Sequence, residues 1–283
     1  MCRFTFYHGP PLSLSSLITE PETSLIHQSF ESSEREEPLN GDGFGVAWYG
    51  ANTDAAPGLF RSVTPAWNNA NLTSLARVVS SSCVLAHVRA ATQVRSVSEV
   101  NCHPFSAGRY AFMHNGDLGG FGRLRRSLLS ELSDEAFASI QGQTDSEHIF
   151  ALLLDELAGT EVENAGELAD AVQRTFERAL ELSRAHGNDN SYLNVAITDG
   201  RSAVVTRFTT DTGYDGESLY WNSGRRYVCD GGLCRMVTPE SSGAAILVSS
   251  ERLSSDPGWE AVPRNHMLLI EPDRSHRLEP LRI

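Results

Sequence analysis

What this chain has little of narrows its function before any motif is read. Basic residues are few: 23 Lys and Arg stand against 36 Asp and Glu, a net charge of −13. Phosphate backbones would repel such a surface, so no nucleic-acid partner is expected. The local basic cluster of Arg123, Arg125 and Arg126 reads as a solvated helix face. Long apolar runs are missing too. Nothing approaches the ~18 residues that span a bilayer, and the opening MCRFTFYHGP lacks the charged start and long apolar stretch of a signal peptide. No membrane partner is expected. Cysteine is scarce and odd in number: positions 2, 83, 102, 229 and 234 show no framework spacing, which suits a reducing cytoplasm. Cys229 and Cys234 could form half of a metal site, but no second ligand pair at zinc-type spacing follows, and they read as structural thiols. Internal repeats and long low-complexity linkers are absent as well.

What is present suffices for a full core: 283 residues with 40% hydrophobic and 21% charged content. Residues 31–40 (ESSEREEPLN) read as an exposed loop or a short helix followed by a loop. Gly41-Asp42-Gly43 then turns into a strand over 44–49, and 84–88 and 110–113 are short buried strands. The period changes at 145–157, where Ile149, Phe150, Leu153, Leu154 and Leu157 share a helical face behind a Thr144/Glu147 capping box. A second helix over about 167–185 ends at Gly187. Strands return at 192–197 and 203–208, joined through Asp199-Gly200, and again at 219–221, 227–229, 245–249 and 266–270. The order is strands, two helices, strands. It predicts an α+β fold with antiparallel sheets, as one continuous domain.

Polar residues collect at the ends of these elements. Cys2 follows the initiator methionine, and its trimming would leave a thiol and an α-amine of pKa about 8 on one residue. A small apolar residue at a strand start explains Cys2 equally well. Arg89 leaves a buried strand, where it either pairs with an internal carboxylate or grips a substrate carboxylate with its planar fork. Asn115-Gly116 is either a hairpin turn or a pair of N–H donors for an oxyanion. Asp145 either complements a helix dipole or, left free by the capping box, meets an ammonium group. His103 reads as a core histidine, and Cys102, His103 and His114 match no compact zinc motif. No metal and no cofactor are expected.

Taken together these segments resemble the class II glutamine amidotransferases, members of the N-terminal-nucleophile hydrolases. The resemblance is carried by Cys2-Arg3-Phe4, Asn40-Gly41-Asp42-Gly43-Phe44-Gly45, Ala86-His87-Val88-Arg89-Ala90-Ala91-Thr92, Asn101-Cys102-His103-Pro104-Phe105, His114-Asn115-Gly116 and Thr144-Asp145-Ser146-Glu147, in family order. Residues 65–72 (PAWNNANL), 112–116 and 141–147 (QGQTDSE) resemble more narrowly the amidotransferase-like subunit of the fungal glutathione-degrading complex, and a related branch acts in ergothioneine biosynthesis. At 250–253 the similar proteins tend to carry proline where this chain has Arg252.

The resemblance implies a four-layer αββα sandwich over residues 2–283, with Met1 removed and Cys2 as N-terminal nucleophile. It implies an oxyanion hole at Asn115 and Gly116, Arg89 on the substrate carboxylate and Asp145 on its ammonium. The implied activity is hydrolysis of a γ-glutamyl amide bond, in glutathione or a related small molecule, by a cytoplasmic enzyme. A peptidase-like partner subunit is among the expectations, as is a synthase partner that would accept ammonia from a plain glutaminase. The ammonia-channelling members continue into a further domain for which this chain has no room. A γ-glutamyl-binding regulatory subunit without chemistry is the non-enzyme alternative.

Overall fold

The computed structural model describes residues 2–34, 39–50, 55–90, 97–224, 226–237 and 245–283. In chain order its elements are β1 (Arg3–Ser13), α1 (Ser15–Ile18), α2 (Leu25–Phe30), β2 (Phe44–Trp48), β3 (Gly58–Ser62), α3 (Ala70–Val78), β4 (Ser80–Val88), β5 (Phe105–Ala107) and β6 (Tyr110–Asp117). Four helices come next: α4 (Phe121–Glu131), α5 (Asp134–Ser139), α6 (Asp145–Leu157) and α7 (Ala165–Ala185). The remainder is β7 (Tyr192–Thr198), β8 (Ala203–Arg207), β9 (Tyr220–Gly224), β10 (Arg226–Asp230), β11 (Leu233–Val237), β12 (Ala245–Ser249), β13 (Glu260–Ala261), β14 (His266–Ile270) and β15 (His276–Pro280).

Two antiparallel sheets form the middle of the molecule. One runs β13-β9-β12-β1-β4-β2-β3 and the other β15-β14-β8-β7-β6-β5. Phe4 and Phe6 of β1, Leu85 of β4, Met113 of β6 and Val205 of β8 pack between them. The opposite face of β1 sends Tyr7 into a core shared with Leu17, Leu25 and Leu72 of α1–α3. The second sheet sends Phe112, Ile197 and Val204 against Ile149, Leu153 and Phe176 of α6 and α7. These three cores define the four αββα layers that the resemblance implies. Both faces of β1 are buried, so the polar positions of its alternating start, Arg3 and Thr5, lie inside the protein with Phe4 and Phe6.

Helix α6 occupies the predicted 145–157, and Thr144 Oγ1 accepts from the Glu147 N–H at 3.2 Å. Glu147 does not complete the expected capping box. Its carboxylate reaches outward instead, accepting from the Gln141 N–H at 2.8 Å and the Gly142 N–H at 2.7 Å. The 199–200 turn joins β7 to β8 as predicted, with Gly200 at φ 88°. Other expectations change. Helices α1–α3 interleave with the early strands, so strands, two helices, strands is too simple an order. Residues 31–34 form no helix, and 35–38 lie outside the described residues. Asn115-Gly116 makes no turn: both sit inside β6, opposite Asn194 and Leu193 of β7. Cys229 and Cys234 face each other across the β10–β11 hairpin and are joined in a disulfide, not free thiols. Among the described residues no helix is long and apolar enough to cross a membrane.

Candidate active site

The site forms where one end of the first sheet meets one end of the second. In the β1–β4 ladder Arg3 pairs with Val88, and continuing that register sets Cys2 opposite Arg89. The Cys2 thiol is half-buried and donates to the Ala90 carbonyl at 3.7 Å. Strand β2 lies on the far side of β4. The Gly41-Asp42-Gly43 turn that precedes it is stitched to Arg89: the Asp42 N–H donates to the Arg89 carbonyl at 3.0 Å, and the Arg89 N–H to the Gly43 carbonyl at 2.8 Å. Gly43 has a φ of 118°, and a Cβ there would strike Cys102 Sγ and the Ser62 carbonyl, so glycine is required on both counts. Ala91 and Thr92 of the same motif lie outside the described residues.

Strand β6 supplies the opposite wall. Met113 faces the inter-sheet core and Phe112 the helices, so Asn115 falls on the inter-sheet side with Phe4. Asn115 is 1% exposed, and neither atom of its side-chain amide has a partner among the described residues. Leaving such an amide unsatisfied costs roughly 1–3 kcal/mol per group. An orphaned amide of this kind is a donor awaiting an acceptor. Gly116 is next in the strand, and a Cβ on it would collide with the Tyr192 carbonyl of β7.

Asp145 is the first residue of α6. Its carboxylate is not free, contrary to the capping-box argument: Oδ2 accepts from the Leu118 N–H at 2.8 Å and Oδ1 from the Ser146 N–H at 2.8 Å. Those two bonds fix its direction and leave lone pairs for a ligand. Beside it His114 holds Ser146 Oγ at 2.9 Å through Nδ1 and the Tyr192 carbonyl at 3.0 Å through Nε2. Because a carbonyl only accepts, Nε2 carries the proton. Burial pushes His114 below its ordinary value, opposed by the nearby Asp145 charge, so the neutral ring accepts from Ser146.

Cys2, Arg89, Gly116 and Asp145 line one cleft of about 480 Å³. Arg123 and Arg125 of α4 line it too; Arg123 and Arg126 are exposed, as a solvated face requires, while Arg125 is half-buried. Arg123 pairs with Asp189, and Arg125 Nε lies 3.2 Å from His148 Nε2. Asp117 also opens into the cleft. Partial burial, with the charges of Asp145 and Asp189 nearby, raises it to about 6 although much of its surface meets solvent. His103 also lines the cleft, its ring centroid 4.3 Å from that of His87 in a tilted contact, with neither ring nitrogen partnered among the described residues. Burial holds it well below the ordinary histidine value, and so neutral.

Cysteines 83 and 102 contrast with Cys2. Burial pushes the Cys83 thiol to about 12 and that of Cys102 to about 11. The Cys102 thiol donates to the Ser62 and Ser98 carbonyls, and among the described residues Cys102, His103 and His114 do not bring ligand atoms within 4.8 Å of one another. A metal reading of those three residues therefore fails on geometry.

One part of the site was missed in the sequence. Arg3 is sealed from solvent, with its Nε 2.8 Å from Glu251 Oε1 and its Nη1 2.8 Å from Glu217 Oε2. No local signal marked it: Arg3 and Thr5 share a face of β1 that reads as polar in sequence but is buried, and a buried arginine demands buried carboxylates. Arg252, the unusual neighbour of Glu251, lays its guanidinium over the Tyr220 ring at 4.8 Å.

This arrangement, with its fold, defines a class. The chain belongs to the class-II glutamine amidotransferases: residues 14–213 match that family. It is an amidohydrolase of the N-terminal-nucleophile type. Among individual relatives it is 39% identical to the probable glutamine amidotransferase DUG3 of Saccharomyces cerevisiae, over 96% of this chain and 82% of that protein. It is 33% identical to the gamma-glutamyl-hercynylcysteine sulfoxide hydrolase of Mycobacterium tuberculosis, over 95% and 93% of the two chains. Among solved structures, a glutamine aminotransferase class-II domain protein from Silicibacter pomeroyi superposes with a TM-score of 0.69 at 29% identity, each chain covered in full. The glutamine phosphoribosylpyrophosphate amidotransferase of Bacillus subtilis shares the fold at 15% identity, with a TM-score of 0.61 over all of this chain and 50% of that one.

Proposed function

We propose that this enzyme hydrolyses a γ-glutamyl amide bond, in glutathione or a related γ-glutamyl compound, with Cys2 as nucleophile once Met1 has been removed. The observation that carries the reading is the single cleft that presents the Cys2 thiol, the Arg89 guanidinium and the Asp145 carboxylate together. A glutamyl group needs one cation for its α-carboxylate and one anion for its α-ammonium, and Arg89 and Asp145 offer those charges. Fixing the α-carbon directs the γ-carbonyl at the thiol.

The α-amine of Cys2 takes the thiol proton through a water, and sulfur bonds to the γ-carbon. The carbonyl oxygen becomes an oxyanion facing the Asn115 amide and the Gly116 N–H; the orphaned Asn115 amide supports that role. Collapse breaks the C–N bond, and the amine leaves with the proton the α-amine had stored. Water then attacks the thioester, the thiol is restored and glutamate departs. The Leu118 and Ser146 N–H groups steady Asp145, and the neutral His114 beside them adds no charge.

The leaving amine lies beyond the glutamyl subsite, so the rest of the cleft wall decides which compound is cleaved. The yeast relative, a probable glutamine amidotransferase, favours an amidotransferase-like reading, and the mycobacterial relative a cysteine sulfoxide conjugate; a peptidase-like or synthase partner rests on the sequence resemblance alone. A cytoplasmic setting accords with the free thiols at 2, 83 and 102. Glutamate release from glutathione, glutamine and a γ-glutamyl cysteine sulfoxide conjugate separates the three substrates. Release from none of them, with glutamate still bound, would establish a regulatory subunit in place of an enzyme.

A further inference from the structure

A mature chain beginning at Cys2 has a mechanical weakness. Its nucleophile would be a terminal residue, with no preceding peptide to hold it and no place in the strand ladder, since β1 begins at Arg3. The direction of the Cys2 carbonyl, and with it the thiol and the α-amine, must then be set by groups later in the chain. On the carbonyl the structure offers a strong grip: Arg3 Nη1 donates to it at 3.0 Å.

Arg3 itself is immobile. The same Nη1 lies 2.8 Å from Glu217 Oε2, Nε lies 2.8 Å from Glu251 Oε1, and Nη2 reaches Ser32 Oγ at 3.4 Å. Each carboxylate is held in turn. Glu251 accepts from the hydroxyl of Ser32, and from the Ser33 N–H at 3.0 Å and hydroxyl at 2.8 Å. Glu217 accepts from the Tyr214 hydroxyl at 3.0 Å. The Phe4 N–H donates to Ser250 Oγ, and the Ser250 N–H to the Phe4 carbonyl, so the strand residue beyond Arg3 is pinned as well. Three segments distant in sequence thus meet behind the nucleophile.

We infer that Arg3, clamped between Glu217 and Glu251, is the positioning residue that orients Cys2 for attack. The inference rests on Cys2 being the nucleophile. A guanidinium is needed because its rigid fork serves the carbonyl and both carboxylates at once; an ammonium is a point charge that cannot. Arg3 touches neither substrate nor the reacting atoms, so its removal should leave glutamyl binding alone and slow the chemistry.

The test compares wild type with Arg3→Lys and Glu217→Gln, after intact mass has confirmed loss of Met1 in each. In Arg3→Lys, kcat for glutamate release is expected to fall about 10²-fold, the scale of a small misplacement of a reacting group. KM and the dissociation constant of L-glutamate are expected to stay within about two-fold, because Arg89 and Asp145 are untouched. Glu217→Gln, which keeps the shape of the clamp, should show the same split at smaller amplitude and covers the case of a poorly folding lysine variant. An unchanged kcat alongside a lowered melting temperature would reduce Arg3 to a structural brace and overturn the inference. Alkylation of Cys2 by iodoacetamide supplies a readout that needs no turnover. It should run several-fold slower in Arg3→Lys, where the thiol and the α-amine that activates it lose their alignment, while Cys102 stays unchanged, and an equal or faster rate would overturn the inference. A wild-type enzyme that cleaves no γ-glutamyl compound would sink the proposed function instead, and the alkylation rates would still decide the role of Arg3.

Discussion

Two arginines flank Cys2, and their surroundings differ in nearly every respect. Arg89 ends β4 and lines the cleft; Arg3 begins the neighbouring strand and lies sealed behind it. Arg3 spends its charge on two buried carboxylates, a network whose removal of one partner typically costs about 3–5 kcal/mol. Arg89 lines the cleft. On the proposed reading, neighbouring strands place the same side chain as a brace for the nucleophile and as a hook for the substrate. What separates the two is whether the residue lies behind the nucleophile or on the cleft wall, not the residue type.

The sharpest break in that comparison is Arg89→Ala. It should lower kcat/KM by about 10²–10⁴-fold, as expected from losing two hydrogen bonds to a charged group at about 1.5–3 kcal/mol each. The loss should appear mainly in KM, and steady-state glutamate release checks it. On the other side, Glu251→Gln should lower stability at pH 7 by about 3 kcal/mol, read by urea denaturation. Burial works to raise Glu251, but hydrogen bonds from Ser32, Arg3 and Ser33 outweigh it and hold it below its ordinary value of 4.5. For an acid depressed by folding, the stabilisation is complete above the unfolded value and disappears as pH falls through the folded one. The gap between wild type and Glu251→Gln should therefore persist above about pH 4.5 and close below it.

A smaller effect belongs to Asp117. Held at about 6, it gains its charge as pH rises through that value, strengthening the negative field around Asp145. KM for a γ-glutamyl substrate should improve about two- to three-fold across that range, the worth of a partly exposed charge, and the inflection should vanish in Asp117→Asn. Reduction of the Cys229–Cys234 disulfide should matter least. That hairpin packs on the outer layer with α1, where Cys229 meets the Ser16 carbonyl, so reductant should leave glutamate release unchanged.

The legible parts of the fold were those with a strong local pattern. Helix α6 announces itself through five apolar residues at helical spacing behind Thr144, and β12 and β14 as short apolar runs between turns. Helices α3 and α4 were missed because each buries only two side chains, Leu72 with Ala76 and Leu124 with Leu128, too few to establish a period. Asn115-Gly116 carries the local chemistry of a turn, yet pairing with β7 keeps it extended. In the site, Cys2, Arg89, Gly116 and Asp145 were recognisable because each stands in a distinctive short motif, and the fold brings them into one cleft. The Arg3 clamp was invisible for the opposite reason. Its partners lie 214 and 248 residues away, in segments with no motif of their own.

The proposed chemistry turns on residue 2 acting as residue one. The direct measurement is intact mass of the purified protein together with glutamate release by wild type and Cys2→Ala. The expected result is a wild-type chain lacking Met1 that releases glutamate, and a Cys2→Ala chain that binds L-glutamate but releases none from substrate. Full release by Cys2→Ala, or by a wild-type chain that retains Met1, would contradict it.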